Sequence, residues 1–231
     1  MSTVLITSAN RGLGLEFANQ YAAEGWRVFA ACRNPAEATA LQDMARASRD
    51  MISIISMDVA DTDSVRTAAS RLKGTAVDVL INSAGIAGAP EQSTGHVDYA
   101  SWARVLDVNT MGPLRVLEAF TDNVARSERR LVVTITSGMG SLADNTSGGS
   151  IAYRSSKAAV NMVMRSAAID LAPLRITCVL INPGWVRTEM GGPAATLSPQ
   201  QSVSAMRQLI ETLGPNHSGK FYSYDGREYS W

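Results

Sequence analysis

Short apolar, β-branched runs alternate with longer helix-patterned segments along almost the whole chain, and no other feature restricts its fold as strongly. The runs Val4–Thr7, Trp26–Cys32, Ile52–Met57, Val77–Asn82, Leu131–Thr136, Ile176–Asn182 and Lys220–Ser223 read as strands. Helices are expected over Leu13–Glu24, Ala36–Ala47, Asp63–Lys73, Asp98–Arg126, Ile151–Leu171 and near Ser202–Leu213. The strand runs are continuously apolar, which is the pattern of strands covered on both faces. Right-handed helical crossovers between such strands build an α/β, doubly wound (Rossmann-type) sheet. We therefore expect a mostly seven-stranded parallel sheet with helices on both faces. No polar linker or internal repeat divides the chain, so residues 1–231 read as one domain with a loop over about 183–200.

Composition narrows the function classes. Lys plus Arg and Asp plus Glu are 21 each, giving a formal net charge of zero and no basic excess for a nucleic acid. No apolar run approaches the ~20 residues of a membrane span. The start, Met1 to Thr7, enters a strand without the charged and apolar regions of a signal peptide, so a cytoplasmic protein is expected. Cys32 and Cys178 lie in apolar runs and read as buried thiols of a reduced compartment. His96 and His217 are isolated, and no metal-ligand set is visible.

The segment Thr7-Ser8-Ala9-Asn10-Arg11-Gly12-Leu13-Gly14 joins the first strand to the first helix. A turn there presents free backbone N–H groups and a helix N-terminus to a pyrophosphate. Ser8 stands where the usual fingerprint has its first glycine, so it either adopts the same backbone angles or opens the turn. Strand two ends Ala31-Cys32-Arg33-Asn34, with no carboxylate for a ribose 2′-hydroxyl. Arg33, with Arg11 in the turn, instead suits a 2′-phosphate. The expected cofactor is thus NADP(H), with NAD(H) as the alternative.

Tyr153-Arg154-Ser155-Ser156-Lys157 opens a long helix and puts Tyr153 and Lys157 on one face. A phenol with a pKa of ~10 is a poor acid or base near neutrality, and an adjacent ammonium is expected to lower it. Other polar residues stand at strand C-termini, where a doubly wound sheet binds ligands. Asp58 and Val59 follow strand three, Asn82-Ser83-Ala84-Gly85 strand four, and Ser137 strand five. Pro113 offers no N–H to the carbonyl of Asn109, so this carbonyl is expected either to hold a water that relays protons toward Lys157 or to mark a simple kink. Pro183, Gly184, Val186 and Thr188 are expected over the nicotinamide end. Met139, Ser141, Asn145, Trp185 and Met190, with Ser137, are expected to line the substrate pocket.

This ordered set resembles the short-chain dehydrogenase/reductase family, over essentially Val4 to Tyr224. The segments Ala9–Phe17 and Asp225-Gly226 with Trp231 look like its C-factor-like branch, which is similar to carbonyl reductases and to a bacterial cell-signalling protein. The resemblance implies that Ser137, Tyr153, Lys157 and Asn109 form a catalytic tetrad. It also implies a small carbonyl or alcohol substrate. Sixteen positions separate Ser137 from Tyr153, which leaves Ser141 as the alternative serine and assigns the excess to the insert Asp144–Ser150. An NAD(P)(H)-binding signalling or scaffold protein with little turnover is the competing expectation. In relatives, the two long helices build a homodimer or homotetramer; their mixed outer faces here leave a monomer open.

Overall fold

The computed structural model describes residues 1–231. Seven strands, β1 (Thr3–Thr7), β2 (Arg27–Cys32), β3 (Ile52–Ser56), β4 (Val79–Asn82), β5 (Leu131–Ile135), β6 (Thr177–Asn182) and β7 (Phe221–Ser223), form one sheet. Their order is β3-β2-β1-β4-β5-β6-β7, and every neighbouring pair is parallel. The chain winds outward in one direction from β1 and in the other from β4. The crevice between their C-terminal ends is the switch point at which doubly wound sheets bind ligands.

Alternation along each strand feeds two cores. Leu5, Phe29 and Leu80 point to a layer formed by α3 (Thr62–Arg71), α5 (Gly112–Ala125) and α6 (Ile151–Asp170), through Val65, Phe120 and Met164. Val4, Ile6 and Ile81 point to the opposite layer of α1 (Gly12–Ala23), α2 (Thr39–Ala47) and α7 (Pro199–Thr212), through Phe17, Leu41 and Met206. Burying both faces explains why these strands carry few polar residues. Cys32 and Cys178 are free and buried, and burial pushes the Cys178 thiol up to about 12. No helix is long and apolar enough to cross a membrane.

The helices differ from expectation at their ends. Pro35–Glu37 forms a 3₁₀ turn, and Ala38, at φ −85° and ψ 59°, breaks it from α2; the helix therefore starts at Thr39 rather than Ala36. A capping box between Ser198 and Gln201, with Pro199 in the first turn, starts α7 earlier than Ser202. The long helix expected over Asp98–Arg126 is interrupted. After α4 (Tyr99–Leu106), Asp107–Met111 forms a π turn in which the Gly112 N–H bonds the Asp107 carbonyl. Widening by one residue carries the helix past the N–H that Pro113 lacks, without breaking it.

Candidate active site

Two adjoining cavities fill the crevice, of about 290 Å³ beneath the ends of β2 and β3 and about 830 Å³ beneath β4–β6. Ser8, Arg11, Gly85 and Ile86 border both, so together they form one continuous channel.

The glycine turn divides them. Ser8 adopts φ +55°, the left-handed conformation that glycine supplies at no steric cost, so the turn keeps its shape rather than opening. A Cβ at Gly14 would stand 2.3 Å from the Ser8 carbonyl oxygen, which leaves hydrogen as the only fit. The Thr7 side chain lies below the channel, where its hydroxyl accepts the N–H groups of Ser83 (2.9 Å) and Ala84 (3.0 Å). It ties the glycine turn to the β4 loop instead of lining the cavity. Gly12, Leu13, Gly14 and Ser83 border the larger chamber, with Pro183, Gly184, Val186 and Thr188 opposite them.

Arg33, Asp58, Val59, Asn10 and Ala84 line the smaller chamber. Asn34, Glu37 and Arg104 join them, three residues that the sequence pattern did not single out. Asn34 and Glu37 belong to a 3₁₀ turn rather than to a helix, and Arg104 arrives from α4, so only the tertiary fold brings them here. The Asn34 amide donates to the Glu37 carboxylate at 3.1 Å. Of the three arginines on this chamber, Arg104 pairs with Asp107 at 3.4 Å, whereas Arg33 makes no ion pair and leaves its guanidinium for a phosphate. Arg11 leans the other way, toward Glu189 of the 183–198 loop, at 2.5 Å.

The larger chamber collects Ser137, Tyr153 and Lys157. Tyr153 and Lys157 sit one turn apart near the start of α6, with the Lys157 Nζ 5.8 Å from the tyrosine ring centre. Lys157 is buried and donates to the Ile135 carbonyl at 3.0 Å. Burial lowers its pKa to about 8. Burial also raises the Tyr153 phenol above its ordinary value, with the nearby Ser137 hydroxyl acting in the opposite direction. The phenol is thus raised rather than lowered as expected: burial is the main cause, and the Ser137 hydroxyl, not the Lys157 ammonium, is what opposes it. Ser137 accepts the N–H of Met139 at 3.1 Å and starts the 3₁₀ turn Gly138–Gly140.

Asn109 lies in the π turn, 1% exposed, beside the channel rather than on its wall. Its amide accepts the Ile86 N–H at 2.8 Å and donates to the Ile86 carbonyl at 2.9 Å and to the Ser156 hydroxyl at 3.0 Å. Asn82 is also buried, with its amide near the Pro113 carbonyl and Thr134, and borders neither chamber.

On the substrate side, Met139, Trp185 and Met190 line the larger chamber, and Ser141 and Asn145 do not. Ser141 is 2% exposed and donates to the Trp231 carbonyl at 3.2 Å; it faces the C-terminal segment rather than Tyr153. Asn145 is exposed and accepts the Gly148 N–H at 3.1 Å. Of the insert Asp144–Ser150, only Ser150 reaches the chamber. The aromatic tail packs on the body, with the Trp231 carbonyl accepting the N–H groups of Leu142 and Ala143 at 2.9 Å each. The 183–198 loop is held by its own bonds, among them Trp185 Nε1 to the Gly191 carbonyl at 2.8 Å and a bridge between Val186 and Leu197.

Residues 2–197 match the short chain dehydrogenase family. The C-signal protein of Myxococcus xanthus is 50% identical over 155 residues, which is 67% of this chain and 93% of that protein. Among solved structures, carbonyl reductase Sniffer of D. melanogaster superposes with a TM-score of 0.93 at 32% identity, covering all of both chains. An NADPH-bound carbonyl reductase from chicken fatty liver reaches 0.93 at 31% identity, over 100% of this chain and 99% of that one. A seven-stranded doubly wound sheet, a glycine turn at its switch point and these whole-chain similarities lead to one conclusion: the chain belongs to the short-chain dehydrogenase family of oxidoreductases, in the branch that holds C-signal and the carbonyl reductases.

Proposed function

We propose that this chain is an NADP(H)-dependent oxidoreductase acting on the carbonyl or secondary alcohol of a small organic substrate, with Tyr153 as the acid/base. The observation that carries the reading is the convergence of Ser137, Tyr153 and Lys157 in a chamber continuous with the glycine turn. The turn fits a dinucleotide: Ser8, Gly12 and Gly14 bring the N-terminus of α1 to the channel, where free N–H groups suit a pyrophosphate, and Arg33, which makes no ion pair, lies at the end where a 2′-phosphate would be held. The NADPH named for the chicken carbonyl reductase supports the same choice. Bound there, NADP(H) would supply or accept the hydride.

The chain's own groups handle the proton. Because burial raises the Tyr153 phenol, it is protonated at neutral pH and ready to donate to a developing alkoxide; in alcohol oxidation it must first give up that proton. Ser137 offers its hydroxyl to the same substrate oxygen. Lys157, fixed against Ile135, keeps a positive charge beneath the site below about pH 8 and would hold the nicotinamide ribose of a bound cofactor. Asn109 acts through position, holding the β4 loop at Ile86 and α6 at Ser156. The apolar side chains of Met139, Trp185 and Met190 favour an apolar substrate body.

Replacing Tyr153 with phenylalanine tests the reading. Turnover of aromatic aldehydes, quinones and cyclic ketones should fall by roughly 10²–10⁴-fold, while NADPH binding persists. Near-normal turnover would remove Tyr153 from the chemistry. The similarity to C-signal favours a second reading, a cofactor-binding signalling protein with little turnover. NADPH binding without turnover of any member of that substrate panel would select it.

A further inference from the structure

The first N–H groups of a helix have no partner inside it. In α6 the N-cap residue, Ser150, is in the left-handed region at φ +46° and its side chain caps nothing. The donors are met by a residue from elsewhere in the chain. The Gln92 backbone carbonyl accepts the Ile151 N–H at 3.0 Å, and its side-chain oxygen accepts the N–H of Tyr153, also at 3.0 Å. The amide nitrogen of the same side chain donates to the carbonyls of Ala87 at 2.8 Å and Ala89 at 2.6 Å. Gln92 is 8% exposed, so both amide hydrogens and the oxygen are used inside the protein.

These bonds join two walls of the chamber. Residues 86–90, with Gln92, line it on the β4 side, and Tyr153 lines it from α6. Asn109 fixes the front of this loop at Ile86, and the Ser101 hydroxyl accepts the Ala89 N–H at 2.9 Å in its middle. Gln92 fixes the far end, and it alone among these ties holds the backbone of Tyr153 itself.

We propose that Gln92 is a positioning residue for the Tyr153 phenol, setting the first turn of α6 against the β4 loop. This rests on the assignment of Tyr153 as the proton-transferring group. An apolar side chain of similar length would leave the Tyr153 N–H and two loop carbonyls without their partner, and the turn that carries the phenol would shift or loosen.

The test compares Gln92→Met with Ser101→Ala, which loosens the loop without touching α6, and with Tyr153→Phe. Steady-state reduction of the aldehyde, quinone and ketone panel by NADPH is measured, together with the tyrosine ¹³Cζ spectrum of the NADPH-bound protein. The resonance of Tyr153 is identified by its loss in Tyr153→Phe. Gln92→Met should lower kcat about tenfold or more, since small displacements of reacting groups carry penalties of that size, with NADPH affinity retained. It should also shift the Tyr153 resonance and its titration, whereas Ser101→Ala changes neither. A Gln92→Met protein with normal kcat and an unmoved resonance overturns the proposal, as does an equal loss in Ser101→Ala, which would assign the effect to loop order. If Tyr153→Phe keeps turnover, the acid assignment falls instead, and the resonance still reports whether Gln92 places the ring.

Discussion

Gly140 closes the 3₁₀ turn that follows Ser137, and its α-carbon faces the backbone of α6. A Cβ built there would lie 2.8 Å from the Lys157 carbonyl carbon, 2.9 Å from its Cβ and 3.0 Å from its carbonyl oxygen. Carbon atoms in contact prefer about 3.5–4.0 Å, so Gly140→Ala must push the two segments apart by roughly 0.7 Å. Gly140 does not have a positive φ, so alanine meets no backbone strain there and the cost is steric. Little on the far side can yield, because the obstacle is helix backbone, and Asn161 spans the same contact from the Gly140 carbonyl to Thr136. Overpacking of this kind costs about 1–3 kcal/mol. For a chain of this size, 2 kcal/mol corresponds to a melting temperature lower by roughly 4–8 °C. The same displacement moves Lys157 against its bond to Ile135, so kcat for carbonyl reduction should fall about tenfold. Thermal unfolding and steady-state kinetics measure both effects. Gly214→Ala is the reference: nothing lies within 4 Å of its Cβ position and its φ is −155°, so it should melt at or slightly above the parent temperature. If Gly140→Ala matched Gly214→Ala in melting and kept its kcat, close packing of this turn on α6 would not be what holds Lys157.

Removing Arg33 as Arg33→Ala should weaken NADPH binding by about ten- to a hundredfold, the range for losing a charge-assisted hydrogen bond, and leave NADH little changed; fluorescence titration reads both, and equal weakening would detach Arg33 from the 2′-phosphate. The pH profiles should diverge by direction. Reduction uses the protonated phenol, raised by burial, together with the Lys157 ammonium, so kcat should hold below about pH 8 and decline above it as Lys157 loses its proton. Oxidation needs the phenolate and should rise with pH over the same range; parallel profiles in both directions would contradict the assignment.

Much of the site could be read from the sequence because its signals are local. Ser8–Gly14 lies between a strand and a helix, and Tyr153 and Lys157 are one helical turn apart, so chain geometry alone gathers each group. Ser137 is marked by its place just after a strand. The missed residues have no such marker. Gln92 stands in a loop without periodicity and matters through the N–H of a residue 61 positions away. Ser141 is close to Ser137 in sequence but turns toward Trp231, and Asn145 stays at the surface of the insert. The Pro113 argument located a disturbance in the helix correctly, but whether it became a kink or a π turn depended on packing around it.

What the sequence by itself determined is the alternation of elements, the parallel doubly wound sheet and the C-terminal edge at which ligands meet it. Those features follow from the spacing of apolar residues, from breakers and from the handedness of crossovers, all of which act over short stretches of chain. Tertiary structure alone decided which polar groups face the channel: Glu37 and Arg104 inside it, Thr7 and Asn82 beneath it, Arg11 drawn to Glu189, and Gln92 capping the helix that carries Tyr153. Side-chain hydrogen bonds between distant segments depend on ångström-scale register, and register emerges only when the two cores have packed against the sheet.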